Sequence, residues 1–155
     1  MRNSRLLIIG YGNPLRQDDG LGWHAATRLS ETLQGNGVQV LACHQLTPEL
    51  AETISQAERV VFIDVNCTQP PGQISCRTVT PDSNPRPPAL DHVMNPSALL
   101  GSALALYKAS PEAVMLSVGG QAFDFGPELS RAVSEAIPRV LAMISEMAGA
   151  KLHHA

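Results

Sequence analysis

A chain of 155 residues, 44% hydrophobic and 16% charged, is long enough to bury one core without disulfides. Its formal net charge is −3, aromatics make up 4%, and no Lys/Arg cluster is visible, so nucleic-acid binding has no support. No apolar run approaches the roughly 20 residues a membrane helix takes, and the first one, Leu6 to Ile9, stops at Gly10, too short for a signal-peptide core. One soluble domain over residues 1–155 is therefore expected, with neither membrane nor nucleic acid as partner and with the oligomeric state open. Cys43, Cys67 and Cys76 are an odd number without a CxxC pair. They fit a reducing cytoplasm and are expected as small buried side chains.

Arg5–Gly10 (RLLIIG) is a continuous apolar run, the pattern of a strand buried on both faces of a parallel sheet. Tyr11–Gly20 reads as a loop, and Leu21, Ala25, Leu29 and Leu33 then recur every four residues, predicting a helix to about Gln34. Val38–Cys43 is a second strand, a short helix is expected over Pro48–Ala57, and Arg59–Asp64 (RVVFID) is a third strand. Gly72–Val79 alternates apolar and polar, which suits an antiparallel edge strand. Thr80–Asn95, with four prolines, reads as a long irregular loop. Asn95-Pro96 supplies an N-cap and a first-turn proline for a helix to about Lys108. Ala113–Val118 is a fifth strand, and a last helix is expected over Pro127–Met147, kinked at Pro138. This order predicts an α/β fold: a three-layer sandwich of about five strands, mostly parallel, with helices on both faces. Ligands of such sheets lie beyond the carboxyl ends of the strands.

Three segments bring ligand-capable groups to those ends. The loop after the first strand carries Asp18 and Asp19 just before a helix, where the helix dipole favours negative charge. One of the two is expected to cap that helix and the other to point elsewhere. Asp64 ends the third strand, and His92 lies in the proline loop beside Asp91. Taken singly, Asp64 also reads as a turn residue and His92 as a surface residue. Together, Asp19, Asp64 and His92 make a borderline-hard set suited to Zn²⁺, Ni²⁺, Mn²⁺ or Fe²⁺, with positions left for water or substrate. Gly10-Tyr11-Gly12 begins like a dinucleotide fingerprint, but Leu15 stands where the third glycine belongs. Ser117 lacks a GxSxG context, and there is no HExxH. His24 reads as a polar-face or packing residue of the first helix.

Leu7-Ile8-Ile9-Gly10-Tyr11-Gly12-Asn13-Pro14-Leu15, followed by Asp18-Asp19-Gly20-Leu21-Gly22, resembles the opening motif of the hydrogenase maturation endopeptidases. Asp19 and Asp64 are similar to that family's two acidic ligands and His92 to its histidine. Val114–Gly119 and the stretch from Gly126 to Ser130 are similar to its last strand and the start of its last helix. Gly119-Gly120-Gln121-Ala122-Phe123-Asp124 departs from the Pro-containing turn of many members, and the proline-rich run before His92 is also unusual for the family. The resemblance implies an enzyme that removes the C-terminal extension of a nickel–iron hydrogenase large-subunit precursor after nickel insertion. Asp19, Asp64 and His92 would engage the precursor's nickel, with Zn or Cd able to substitute, and would serve catalysis. Gly12, Asn13 and Asp18 would meet the substrate, though Asn13 reads equally well as structural. Two other readings share parts of this pattern. One is a nickel-binding maturation factor that cuts nothing; the other is a phosphate- or nucleotide-binding domain, which the acidic pair would oppose.

Overall fold

Side chains alternate across a strand, so a run of consecutive apolar residues has to be covered on both sides. That is the arrangement in the computed structural model, which describes residues 4–82 and 94–153. In chain order the elements are β1 (Ser4–Tyr11), a 3-10 turn (Gln17–Gly20), α1 (Leu21–Leu33), β2 (Val38–Cys43), α2 (Leu50–Ser55), β3 (Ala57–Asn66), β4 (Ile74–Thr78), α3 (Pro96–Tyr107), β5 (Glu112–Gly119) and α4 (Arg131–His153). The strands form one sheet in the order β2-β1-β3-β5-β4. The first four of these lie parallel, and β4 runs antiparallel at the edge beside β5.

Leu6, Ile8, Val61, Ile63, Leu116 and Val118 point to one face, where α1 and α4 cover them with Leu21, Ala25, Leu29, Val133, Ile137 and Val140. Leu7, Ile9, Val60, Phe62, Ala113 and Met115 point to the other, against Ile54 of α2 and Leu99 and Ala103 of α3. This is the three-layer α/β sandwich that the strand pattern predicts. The helical stripe of α1 is the buried one, with Leu21 and Ala25 fully covered. Asn95 caps α3 by accepting a hydrogen bond from the Ala98 amide at 2.8 Å, with Pro96 in the first turn. Among the described residues, no helix is long and apolar enough to cross a membrane.

The structure differs from the sequence reading at several ends. β3 is longer than Arg59–Asp64 because it has a partner on both sides, and its pairing with β5 continues to Asn66 opposite Gly119. α2 begins later than Pro48, whose carbonyl accepts from the Ala51 amide within a turn. α4 begins at Arg131 rather than Pro127 because the preceding residues are tied to the loop after β1. It continues past Met147 to His153 with Pro138 in its interior. The cysteine expectation holds only in part: Cys43 is half-buried, but Cys67 and Cys76 are exposed. Cys76 sits on the edge strand and Cys67 in the turn that follows β3, and neither location is covered by a helix.

Candidate functional site

The site lies where β1 and β3 end side by side. Gly10 stands opposite Ile63 in the parallel register, so the next residues, Tyr11 and Asp64, are neighbours. Both continue the alternation of Leu7, Ile9, Val60 and Phe62, and so both emerge on the α2/α3 side of the sheet.

Two glycines let the chain turn back over these ends. Gly12 has φ +145°, and a Cβ there would stand 1.8 Å from the Asp19 carbonyl oxygen. A Cβ on Gly22 would come within 2.3 Å of the Ile63 carbonyl oxygen and 2.5 Å of that of Tyr11. The 3-10 turn and the start of α1 therefore press directly on the strand ends, which only glycine permits. This close approach brings Asp19 near enough to Asp64 for its charge to act on the Asp64 carboxyl.

Asp19 is held by the Asn13 amide, which donates to its Oδ2 at 2.9 Å. Asp64 Oδ1 accepts from its neighbour's amide, Val65, at 2.7 Å, and the Tyr11 hydroxyl donates to the same carboxylate. Burial pushes the Asp64 carboxyl up to about 6. The bonds from Tyr11 and Val65 act against that rise, and the negative charge of Asp19 adds to it. Burial and the Asp64 charge in turn hold the Tyr11 phenol protonated far above its ordinary range. Ser117, 6% exposed, stands opposite Asp64 in the β3–β5 register.

Two carboxylates that repel each other across a partly desolvated gap form an arrangement that a divalent cation relieves, and oxygen donors suit Ni²⁺, Zn²⁺ or Mn²⁺. Among the described residues, no group of three His, Cys, Asp or Glu side chains is placed to hold a metal. His92, the third expected ligand, lies outside the described residues, as does Asp91.

Asp64 also carries a pH signature. A carboxyl whose folded value is raised favours the folded state most when protonated. That advantage is present below the ordinary 3.8 and is lost as pH rises through about 6. Asp64→Asn keeps the shape and an acceptor while removing the charge. Near pH 7 the variant is expected to be more stable than wild type by about 1–2 kcal/mol, a value reduced for solvent screening. The gain should vanish below about pH 4. Urea melts of both proteins from pH 3.5 to 7.5 check this, and a gain that grows toward acid pH contradicts it.

Asp18, the adjacent carboxylate, has a different part. It is 0% exposed. Its Oδ2 accepts from the amides of Gln121 (2.8 Å) and Ala122 (2.9 Å) and from the Ser130 hydroxyl (2.7 Å), and its Oδ1 accepts from the Ser130 amide (2.8 Å). Burial works against its charge, but these four donors outweigh it and hold the carboxyl below its ordinary range. Neither Asp18 nor Asp19 caps the helix that follows, contrary to the expectation for one of them. Gly20 is the N-cap of α1, without a side-chain bond.

Asn13 accepts from the Leu15 amide through its Oδ1 at 2.9 Å, closing a tight turn, and Gly12 donates its amide to the Cys43 carbonyl. His24 lies edge-on to Trp23 with a ring-centroid distance of 5.1 Å. Its buried Nε2 has no partner, and burial, then the Arg28 charge, lowers its proton affinity. The reading of His24 as a packing residue agrees with this. Sequence reasoning missed Tyr11 and Ser130. Tyr11 was legible as the continuation of the Leu7/Ile9 alternation; Ser130 carried no local signal. A cavity of about 460 Å³ lined by Arg59, Ser110 and Glu112 lies at the opposite, amino-terminal end of β3 and β5.

No protein-family model matches the chain, and no curated protein sequence does. Solved structures do. The [NiFe] hydrogenase maturation protease HycI from Thermococcus kodakarensis KOD1 superposes with a TM-score of 0.75 at 20% identity, covering 94% of this chain and 93% of that one. A hydrogenase 2 maturation peptidase from Thaumarchaeota archaeon SCGC_AB-539-E09 gives 0.70 at 23% identity, covering 94% and 99%. The hydrogenase maturating endopeptidase HybD from E. coli gives 0.70 at 20% identity, covering 90% and 89%. Over nearly its whole length, this chain has the fold of the [NiFe] hydrogenase maturation proteases.

Proposed function

We propose that this chain is a cytoplasmic endopeptidase of hydrogenase maturation. It removes the C-terminal extension of a nickel–iron hydrogenase large-subunit precursor once nickel is in place. The observation that carries this reading is the meeting of Asp19 and Asp64 over the ends of β1 and β3, in a fold shared with maturation proteases. The nickel belongs to the substrate. Asp19 and Asp64 offer it oxygen donors, His92 offers an imidazole, and thiolates of the precursor fill the remaining positions. Zn²⁺ or Cd²⁺ suits the same donors.

The chemistry assigned to these residues is addition of water to the scissile carbonyl. The precursor's metal, held by these residues, would polarise that carbonyl or acidify the water. One of the two carboxylates accepts the proton of the attacking water and returns it to the departing amine. Asp19 holds its orientation through the Asn13 amide, and Gly12, which would meet the substrate through its backbone, lets the loop that carries Asp19 fold back against it. Asp18 serves by fixing that loop.

Incubating the purified chain with nickel-loaded precursor and weighing the products by mass spectrometry tests the reading. The expected result is a shortened large subunit plus one released peptide, with no cutting of the nickel-free precursor. A stable complex whose precursor keeps its full mass would replace the endopeptidase with a non-proteolytic nickel-binding factor.

A further inference from the structure

Single exposed apolar side chains are ordinary on a protein surface, whereas a pair held together on a stiff frame is not. Leu15 is 62% exposed and Phe125 is 84% exposed. They come from loops far apart in sequence that meet in a short parallel bridge, Arg16 against Gly126. Gly126 donates its amide to the Leu15 carbonyl at 2.8 Å, and Gln17 donates to the Gly126 carbonyl at 2.9 Å. The Gln17 side chain accepts from the Asp124 amide at 3.1 Å. Arg16 lies over the Phe125 ring, 5.5 Å from its centroid. Behind this bridge stand the four hydrogen bonds of Asp18. Phe125 and Leu15 are therefore exposed although their backbone is firmly bonded.

The pair adjoins the carboxylates. The Leu15 amide is bonded to Asn13, whose own amide holds Asp19. Leu15 is thus two hydrogen bonds from Asp19, and Phe125 belongs to the segment that the Arg16–Gly126 bridge fastens beside it. We propose that Leu15 and Phe125 are specificity-determining residues that receive an apolar side chain of the precursor polypeptide next to its scissile bond, an inference that rests on the endopeptidase reading above. Preformed apolar contacts of this kind bind without an ordering cost in the enzyme.

The test combines steady-state cleavage of nickel-loaded precursor with its binding measured by surface plasmon resonance. It uses wild type, Leu15→Ser, Phe125→Ser and the double variant. Leu106→Ser, at an exposed position on α3, is the control. The expected result is a rise of about tenfold in KM and in Kd for the double variant, with smaller rises for the single ones. kcat should stay within about twofold, and the control should match wild type. If wild type cuts and the double variant keeps wild-type KM and Kd, the rim assignment is overturned while the endopeptidase reading stands. A loss confined to kcat overturns it as well. Should wild type bind the precursor without cutting it, the endopeptidase reading fails, and weaker binding by the double variant still upholds the rim as a polypeptide contact. If wild type neither binds nor cuts, both fall.

Discussion

Asp64→Asn and Asp19→Asn are each expected to slow cutting of the nickel-loaded precursor at least about a hundredfold, the scale of losing a positioned acid–base group or a metal-binding oxygen. Asparagine keeps the acceptors that hold these side chains, so the Val65 and Asn13 amides stay paired. What disappears is the charge. His92→Ala should be as damaging if its imidazole completes the set. The measurement is product mass against time, with circular dichroism melts run alongside. For Asp64→Asn the two readouts should move in opposite directions: slower cutting and a higher melting temperature near neutral pH. A carboxylate kept partly desolvated beside a second one costs stability that function requires. Normal cutting by all three variants would remove the assigned site.

The second large effect belongs to Asp18. Asp18→Ala removes one buried charge and leaves three backbone amides and the Ser130 hydroxyl without their acceptor. Breaking a buried, fully paired charge in this way costs about 3–5 kcal/mol. Asp18→Asn should cost less, because one oxygen still accepts. Since the folded Asp18 carboxyl lies below its ordinary value, its contribution is present above 3.8 and is lost as pH falls through the lowered value. The gap between wild type and Asp18→Ala should therefore narrow in acid. Denaturant melts at pH 7 and below pH 3 measure both points. A loss under about 1 kcal/mol at pH 7 would mean that this tie does not hold the two loops together. Cutting should fall with stability in these variants, in contrast to Asp64→Asn.

The strands were legible because a sheet covered on both faces demands unbroken apolar runs, and Leu6 to Ile9 and Val60 to Ile63 are such runs. The alternation in Gly72–Val79 gave the edge strand and its antiparallel sense for the converse reason. Asp64 was equally readable as the charge that closes the apolar run Val60 to Ile63, although β3 goes on pairing with β5 as far as Asn66. The division of labour between Asp18 and Asp19 was not. A local reading offered a helix cap to one of them, and Asp18 instead binds residues 103 to 112 positions away. That choice depends on which strands become neighbours. The start of α4 was misplaced for the same reason: Pro127 looks like the start of a helix in sequence, but the amides of Gly126 and Ser130 are engaged by the loop after β1. Tyr11 was passed over because the glycines on either side drew attention to a turn.

The knot tied by Asp18 also governs when the site comes into being. Its partners, Gln121, Ala122 and Ser130, all lie more than a hundred residues further along, so no nascent chain that stops short of Ser130 contains the full set. Until then Asp18 keeps its hydration, and the approach to Asp19 has no rim. Contacts this distant in sequence form late. On the ribosome, the first and third strands can align well before the loops beyond their ends are tied together by Asp18.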